Sequence, residues 1–594
     1  MSNEQLSQGV SRRQFLTGAL ATAGLLALAG NARAGMAADS AKADASSKAD
    51  AASAGKTADL STDTINATYD ADTSAATKGG TFKYYITNPV AIEPFGAEEN
   101  QGYQVMDCLF DPLLAWDYSA GKLAPLAAES YEVNDTADKF TFHLRKDATF
   151  HNGNPVTAKD FVYSWNRICN PNFKPSPSSI GYKIAQVKGY DEMMAGTADS
   201  LDIEAPDDYT FVVNLKAPFA EFPKLLTDQA LAPVPAGSTD TEADFQAFRV
   251  HPIGNGPFQM DGDWVDGQFI NVKPFDGYWG DKPLLDQIAF TIFKDDTTAW
   301  TEFQAGNIDF VNIPSGQFTV TKQQYGEAGK DGYVANPGAQ VLSGAETSIF
   351  YLLINNEDDV MSNADLRRGI SNAINRQALA DVVFEGTRTP ADNMLMPAVP
   401  GYEESKWDNC PAQPDLDKAK EYLDKAGYPA DANGNRGLTL SLKTNVGQAN
   451  ETAMTMIQAD LKAVGIEASV DTQEWAAYVD AAQSGDYQMG RMGWVISVPQ
   501  QYTILHDLFY TGGGNNTSKY SNPDFDVKID EAVTIVDDDK RLQAFIEANK
   551  IVAADFPVAP LLFYRHNYLV SKRVNNFFYD PGTFCRMTRV WLTA

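Results

Sequence analysis

Apolar and polar residues alternate along several short stretches of the chain: Phe140, Phe142 and Leu144; Tyr209, Phe211, Val213 and Leu215; Leu438, Leu440 and Leu442. A period of two sends successive side chains to opposite faces, so each stretch predicts a half-buried strand. The apolar-rich run from Thr81 to Ile86 reads as another strand and places the start of the folded part near Gly80. Elsewhere the period lengthens to that of a helix. Thr157 with Asp160 makes a capping-box-like start, after which Phe161, Val162, Trp165 and Ile168 share one face. Asp415 opens a second helix with Leu416, Ala419, Leu423 and Ala426 as its stripe and Gly427 as its stop. A third carries Leu366, Ile370, Ala373 and Ile374. Strands and helices mixed over this length predict α/β lobes. Pro/Gly clusters at 233–237 and 251–257 mark either changes of lobe or surface turns.

The beginning of the chain follows a different pattern. Ser11-Arg12-Arg13-Gln14-Phe15-Leu16 precedes a short apolar run, Leu20 to Ala29, which ends in Ala32-Arg33-Ala34. Basic segment, apolar stretch and A-x-A site together predict a signal peptide over residues 1–34, and the paired arginines give it a twin-arginine character. The run is shorter than the roughly 20 apolar residues of a membrane span. No cysteine follows it, so a lipid anchor has no attachment point. Residues 35–78 are rich in Ala, Ser and Asp and poor in large apolar side chains, which predicts a flexible tether. The expectation is an exported protein in the periplasm or at the outer face of the membrane or cell wall.

At 594 residues the chain has room for about four domains or subdomains. Its 44% hydrophobic content allows a substantial core, and a formal charge of −31 argues against nucleic acid and anionic membranes as partners. The four cysteines form no C-x-x-C pair, and the five histidines form no two-ligand spacing, so no metal site is expected. There is no G-x-S-x-G elbow. Asp431-Ala-Asn433-Gly-Asn435 begins like a calcium loop but has Arg436 and Leu442 where Gly and Glu are required, so a turn is expected. Thr511-Gly-Gly-Gly-Asn-Asn516 lacks the Gly-Lys of a phosphate loop. No residue is put forward as catalytic and no cofactor is expected.

An ordered series of segments resembles the oligopeptide/dipeptide-binding family of ABC-importer solute receptors (family 5 extracellular solute-binding proteins). It includes Leu123-Ala-Pro-Leu-Ala-Ala-Glu-Ser130, Phe140-Thr-Phe-His-Leu-Arg-Lys-Asp147 and His151-Asn-Gly-Asn-Pro-Val-Thr-Ala-Lys-Asp-Phe-Val-Tyr-Ser-Trp165. Asn255-Gly-Pro-Phe258, Phe275-Asp-Gly-Tyr-Trp279, Leu366–Arg376, Gln473-Glu-Trp475 and Arg491-Met-Gly-Trp494 follow in family order. The resemblance implies a type II periplasmic-binding-protein-like α/β fold with two main lobes and an extra inserted subdomain (cluster C). Lobe I would comprise 79–117, 236–346 and 565–594; lobe II, 118–235; lobe III, 347–564. Its function would be to capture a peptide or other small solute by closure of lobes I and III. It would then deliver the solute, as a monomer, to a membrane permease and its ATPase.

The resemblance also implies ligand contacts. Arg491, Gly493, Trp494, Val495 and Ser497 match the pocket strand, whose backbone pairs with an extended peptide. Arg491 matches an arginine that can meet a ligand carboxylate, and Trp475 an aromatic of the pocket wall. Asn88, Pro89 and Val90 would form the facing wall, with Tyr564 near the hinge. Ser497 stands where oligopeptide receptors place the aspartate that holds a peptide's ammonium, which keeps open a non-peptide ligand such as an oligosaccharide or metal chelate. The family's disulfide would need cysteines at Ser348 and Val495, and neither is present. Cys108, Cys169, Cys410 and Cys585 can pair in three ways; Cys108 and Cys585 both fall in the implied lobe I, which makes them one candidate pair. The other classes considered are a secreted hydrolase with an unrecognised carboxylate pair and an exported adhesin or assembly protein.

Overall fold

The strand Thr81–Ile86 is covered on both sides: Phe82, Tyr84, Tyr85 and Ile86 are buried. It pairs in parallel with Gln287–Ile292 and Phe310–Asn312, as a strand embedded inside a sheet requires. A computed structural model describes residues 56–61 and 73–593 except 98, 119, 174–177, 179, 583 and 584. The expected signal peptide and most of the expected tether lie outside those residues. The seven-stranded sheet around Thr81–Ile86 runs Val341–Leu342, Tyr568–Val570, Phe310–Asn312, Thr81–Ile86, Gln287–Ile292, Phe269–Pro274, Phe258–Met260.

A five-stranded antiparallel sheet is built from the alternating stretches near residues 140 and 211, as Lys139–Leu144 and Thr210–Asn214. Helix Ala158–Ile168 packs on it. Trp165 is fully buried, stands edge-on to Phe211 at 5.0 Å and donates from Nε1 to the Leu231 carbonyl at 3.0 Å. The Asp160 carboxylate accepts from the Thr157 N–H at 2.8 Å, the capping contact that the sequence predicts. The edge strand of this sheet is a correction. Lys56–Thr57, inside the stretch expected to be a flexible tether, pairs with Glu132 and Val133. Ala58 N donates to Tyr131 O, Ser61 N to Leu123 O, and Ser61 Oγ to buried Asp117. Backbone pairing needs no large apolar side chain, so composition could not reveal it.

A six-stranded sheet has the order Arg388–Pro390, Ala559–Arg565, Ala345–Ile354, Met489–Val495, Thr439–Asn445, Glu467–Gln473. Helices Ala364–Ala373 and Leu416–Lys425 pack beside it. They meet at Gly369, where an added Cβ would stand 2.9 Å from the Leu423 side chain. Asp415 caps the second helix by accepting from Lys418 N at 3.0 Å. The calcium-like stretch is a turn, with the Asp431 carboxylate accepting from the N–H groups of Asn433 and Asn435.

Two strands run between the seven- and six-stranded bodies side by side: one leaves Val341–Leu342 for Ala345–Ile354, the other leaves Ala559–Arg565 for Tyr568–Val570. His566 N donates to Gly344 O at 2.8 Å and Arg565 Nε to Ser343 O at 2.5 Å. Gly344 has no room for a side chain, since a Cβ would fall 2.2 Å from the Tyr333 ring. The five- and six-stranded bodies also meet directly. Ala220 N donates to Val533 O at 2.7 Å, Phe219 packs edge-on to Tyr502, and buried Glu221 pairs with Arg541 and Lys224. Burial alone would raise the Glu221 carboxyl, yet Lys224 and Arg541 hold it below its usual range.

The candidate Cys108–Cys585 disulfide is not formed; all four cysteines are buried free thiols. Cys108 Sγ faces the Gln104 carbonyl of its own helix.

Candidate functional site

Strand Met489–Val495 is paired along its whole length by Ala345–Ile354 on one side. On the other side, Thr439–Asn445 pairs only at Met489 and Gly490. In an antiparallel pair, alternate residues exchange hydrogen bonds and those between them aim their N–H and C=O away. Ile496 N donates to Thr347 O at 3.0 Å, which fixes the phase: Trp494 and Met492 face the paired strand, while Arg491, Gly493 and Val495 turn their backbone outward. The Arg491 carbonyl is taken by the Tyr478 hydroxyl, which crosses over Gly490 where a Cβ would stand 2.6 Å away. Gly493 and Val495 therefore present N–H and C=O along a stretch with no pairing strand among the described residues. The Val495 side chain is 59% exposed. This is a sheet edge onto which an extended chain can add.

Side chains around this edge come from five strands and from the first residue of helix Trp475–Ser484. Arg491 is buried; its Nε donates to Asn445 Oδ1 at 2.7 Å, and Nη2 donates to the same oxygen. The Arg491 guanidinium carbon lies 5.6 Å from the Trp475 ring centre and 6.0 Å from that of Phe350. Across the sheet, Arg388 pairs in register with Tyr564. Its guanidinium stacks on Phe384 at 3.6 Å and on Tyr564 at 3.9 Å, with Phe350 at 5.0 Å. The Tyr564 hydroxyl lies 3.5 Å from where a Cβ on Gly493 would be, so glycine keeps the floor between the two arginines low. Burial draws the Arg388 guanidinium below its usual range, and the charge of Arg491 adds to this.

The structure thus brings Trp475, Arg491, Gly493, Val495 and Tyr564 together. It sends the Trp494 side chain to the opposite strand face, away from Arg491 and Gly493, because the two faces alternate. Ser497 lies two residues beyond the strand and is half-buried. Asn88, Pro89 and Val90 belong to the other body, in the loop after Thr81–Ile86. There the Asn88 side chain donates to Asp266 and accepts from Gly267 N, Val90 N donates to Glu99, and the Val90 side chain is 57% exposed. Sequence reading missed Phe350, Arg388 and Asn445. The strand Arg388-Thr389-Pro390 has no apolar alternation to reveal it, and its contact with Tyr564 depends on register between distant segments.

Ser348 and Val495 are direct register partners. They are the two positions at which the family disulfide would have to lie, so the strand register agrees with the resemblance. The profile of the bacterial extracellular solute-binding proteins, family 5 (middle region), matches residues 122–516. The chain belongs to that family. The periplasmic oligopeptide-binding protein OppA of Haemophilus influenzae is 28% identical over 81% of this chain and 86% of the relative. The probable deoxycholate-binding periplasmic protein YgiS of Escherichia coli is 26% identical over 86% and 92%. Among solved structures, MppA, a periplasmic murein tripeptide binding protein in an unliganded open form, aligns with a TM-score of 0.76 at 23% identity, covering 87% of this chain and 98% of that one. A second structure, of MppA from Escherichia coli, covers the same share of this chain at 22% identity but scores 0.60.

The family is one of extracellular solute-binding receptors. Among the described residues no helix is long and apolar enough to cross a membrane, and no group of three or more His, Cys, Asp or Glu side chains could hold a metal ion.

Proposed function

We propose that this protein captures peptides between its seven- and six-stranded bodies and hands them unchanged to an ABC permease and ATPase. The observation that carries the reading is the unpaired strand edge at Gly493 and Val495, with Arg491 beside it. A peptide adding there satisfies main-chain donors and acceptors whatever its side chains, and its terminal carboxylate meets the planar fork of Arg491. In this reading 79–117, 236–346 and 565–594 form lobe I, 118–235 lobe II and 347–564 lobe III. The two strands near residues 343 and 566 act as the hinge. Ligand contacts with Asn88–Val90 arise only on closure, so binding draws the population toward the shut form. Export through the twin-arginine signal of residues 1–34 would deliver the protein outside the cytoplasm already folded.

Tryptophan fluorescence and calorimetry with a panel of di- to pentapeptides test this. Saturable binding with the peptide recovered intact is the expected outcome; no response to any peptide overturns the reading, and hydrolysis overturns the receptor role. The second reading, a non-peptide solute, is favoured by Ser497 in place of an ammonium-holding aspartate and by the bile-acid ligand in the name of YgiS. It predicts that a small molecule weighed with the protein by native mass spectrometry contains no amino acids.

A further inference from the structure

Among the described residues most buried guanidinium groups have charged or carbonyl partners, although Arg586 Nε and Arg167 Nη2 are themselves covered and unpartnered. Arg586 pairs with Asp111, Arg541 with Glu221 and Asp538, and Arg376 and Arg367 each donate to three or more backbone carbonyls. Arg388 departs from that pattern. The residue is half-buried; its Nη1 is covered with no hydrogen-bond partner among the described residues, and the guanidinium stacks on the faces of Phe384 and Tyr564. Arg491, whose guanidinium carbon lies 6.0 Å from the Phe350 ring centre, has one neutral acceptor, Asn445, and no carboxylate in ion-pair range among the described residues. Two like charges are thus placed on one face of one sheet, in a chain whose net charge is −31. The nearest acid on the strands around them, Glu346, is turned to His566 at 3.3 Å. Glu385, three residues before Arg388, is bound to the N–H of Gly316 in the other body. The arginine pair therefore lies where the two bodies approach, with no carboxylate in ion-pair range among the described residues and Glu346 acting on Arg388 only through space.

We infer that Arg388 and Arg491 together receive a doubly anionic ligand end, so that the preferred ligands are peptides whose C-terminal residue is itself acidic. Arg491 takes the α-carboxylate beside the strand edge, and Arg388 takes the side-chain carboxylate of the same residue. A C-terminal Asp or Glu carries its two carboxylates a few bonds apart, which suits two cations that both lie within 6.0 Å of one ring centre. Each contact is a charge-assisted hydrogen bond, and the guanidinium fork suits a carboxylate better than an ammonium group would.

The inference rests on the peptide reading above and is tested by calorimetry with matched pairs, Ala-Ala-Glu against Ala-Ala-Gln and Ala-Ala-Asp against Ala-Ala-Asn. The acidic member is expected to bind at least tenfold more tightly to the unaltered protein. Arg388→Met is expected to bring the ratio close to one, and Arg388→Lys to leave a preference of intermediate size. Thermal melts of both variants check that they are folded, and should Arg388→Met fail to fold, the ratio in Arg388→Lys and in the unaltered protein decides. Equal affinities in the unaltered protein, or a ratio untouched in Arg388→Met, would overturn the inference while leaving peptide binding intact. Absence of binding by every peptide would remove the peptide reading itself, and this inference with it.

Discussion

Two regions of the molecule surround an arginine in opposite ways. Around Arg586, the guanidinium meets Asp111, whose carboxylate also accepts from the Tyr278 hydroxyl at 2.9 Å and Trp279 Nε1 at 3.3 Å. Around the half-buried Arg388 the contacts recorded among the described residues are the aromatic faces of Phe384 and Tyr564. Arg167 lies between these cases: Phe95 and Phe173 sandwich it, but its Nε donates to Thr239 at 2.8 Å. A buried charge without partners is costly, so a fold that keeps one gains from whatever arrives to complete it. Of the paired arginines, Arg541 joins two bodies through Glu221, whereas Arg586 and Asp111 lock one body internally.

The strongest way to break that contrast is Arg586→Met. It would strand the buried Asp111 carboxylate and cost on the order of 3–5 kcal/mol in urea unfolding; a loss below about 1 kcal/mol would mean that the pair is not structural. Next, Ser348→Cys with Val495→Cys should form a disulfide across the directly opposed positions, adding about 2–4 kcal/mol under oxidising conditions. Two free thiols persisting in the double variant would show that the strand register beside the site is wrong.

Glu221→Gln weakens a matched pair more gently, by about 1–3 kcal/mol. Because Lys224 and Arg541 hold the Glu221 carboxyl below its usual range, its stabilising contribution is present above about pH 4.5 and is lost as the pH falls through the lowered folded value. The variant should therefore lose less stability than the unaltered protein on acidification below that point, read by thermal melts across pH 3–6 (roughly the carboxylate range). The smallest effect is expected at the unmatched site. Arg388→Met should change unfolding stability by less than about 1 kcal/mol or raise it, since no counter-charge is left behind. A loss as large as that of Arg586→Met would erase the contrast.

Much of the fold was legible because it is written in local patterns. The alternation at Phe140–Leu144 and Thr210–Asn214, the cap at Thr157 and Asp160, and the ordered family segments all concern neighbours in sequence. The site was legible only in part. Arg491, Gly493 and Tyr564 came through the resemblance, but Trp494 falls on the wrong face because a strand alternates. Arg388 gave no sign at all, since what makes it notable is the absence of a partner, and that is a property of three-dimensional surroundings. The docking of residues 56–61 was hidden for the opposite reason. Backbone hydrogen bonds along an edge are indifferent to the Ala- and Ser-rich composition on which the tether expectation rested.

The most direct test of the whole account is a distance. Val250, beside the Asn88–Val90 loop, and Val446, just past the strand Thr439–Asn445, are exposed on different bodies, and the four native thiols are buried. Spin labels at Val250→Cys and Val446→Cys, read by double electron–electron resonance, should give a long separation alone and a shorter one with saturating peptide. The peptide should be recovered unchanged. A separation that stays fixed while a peptide binds would contradict capture by closure.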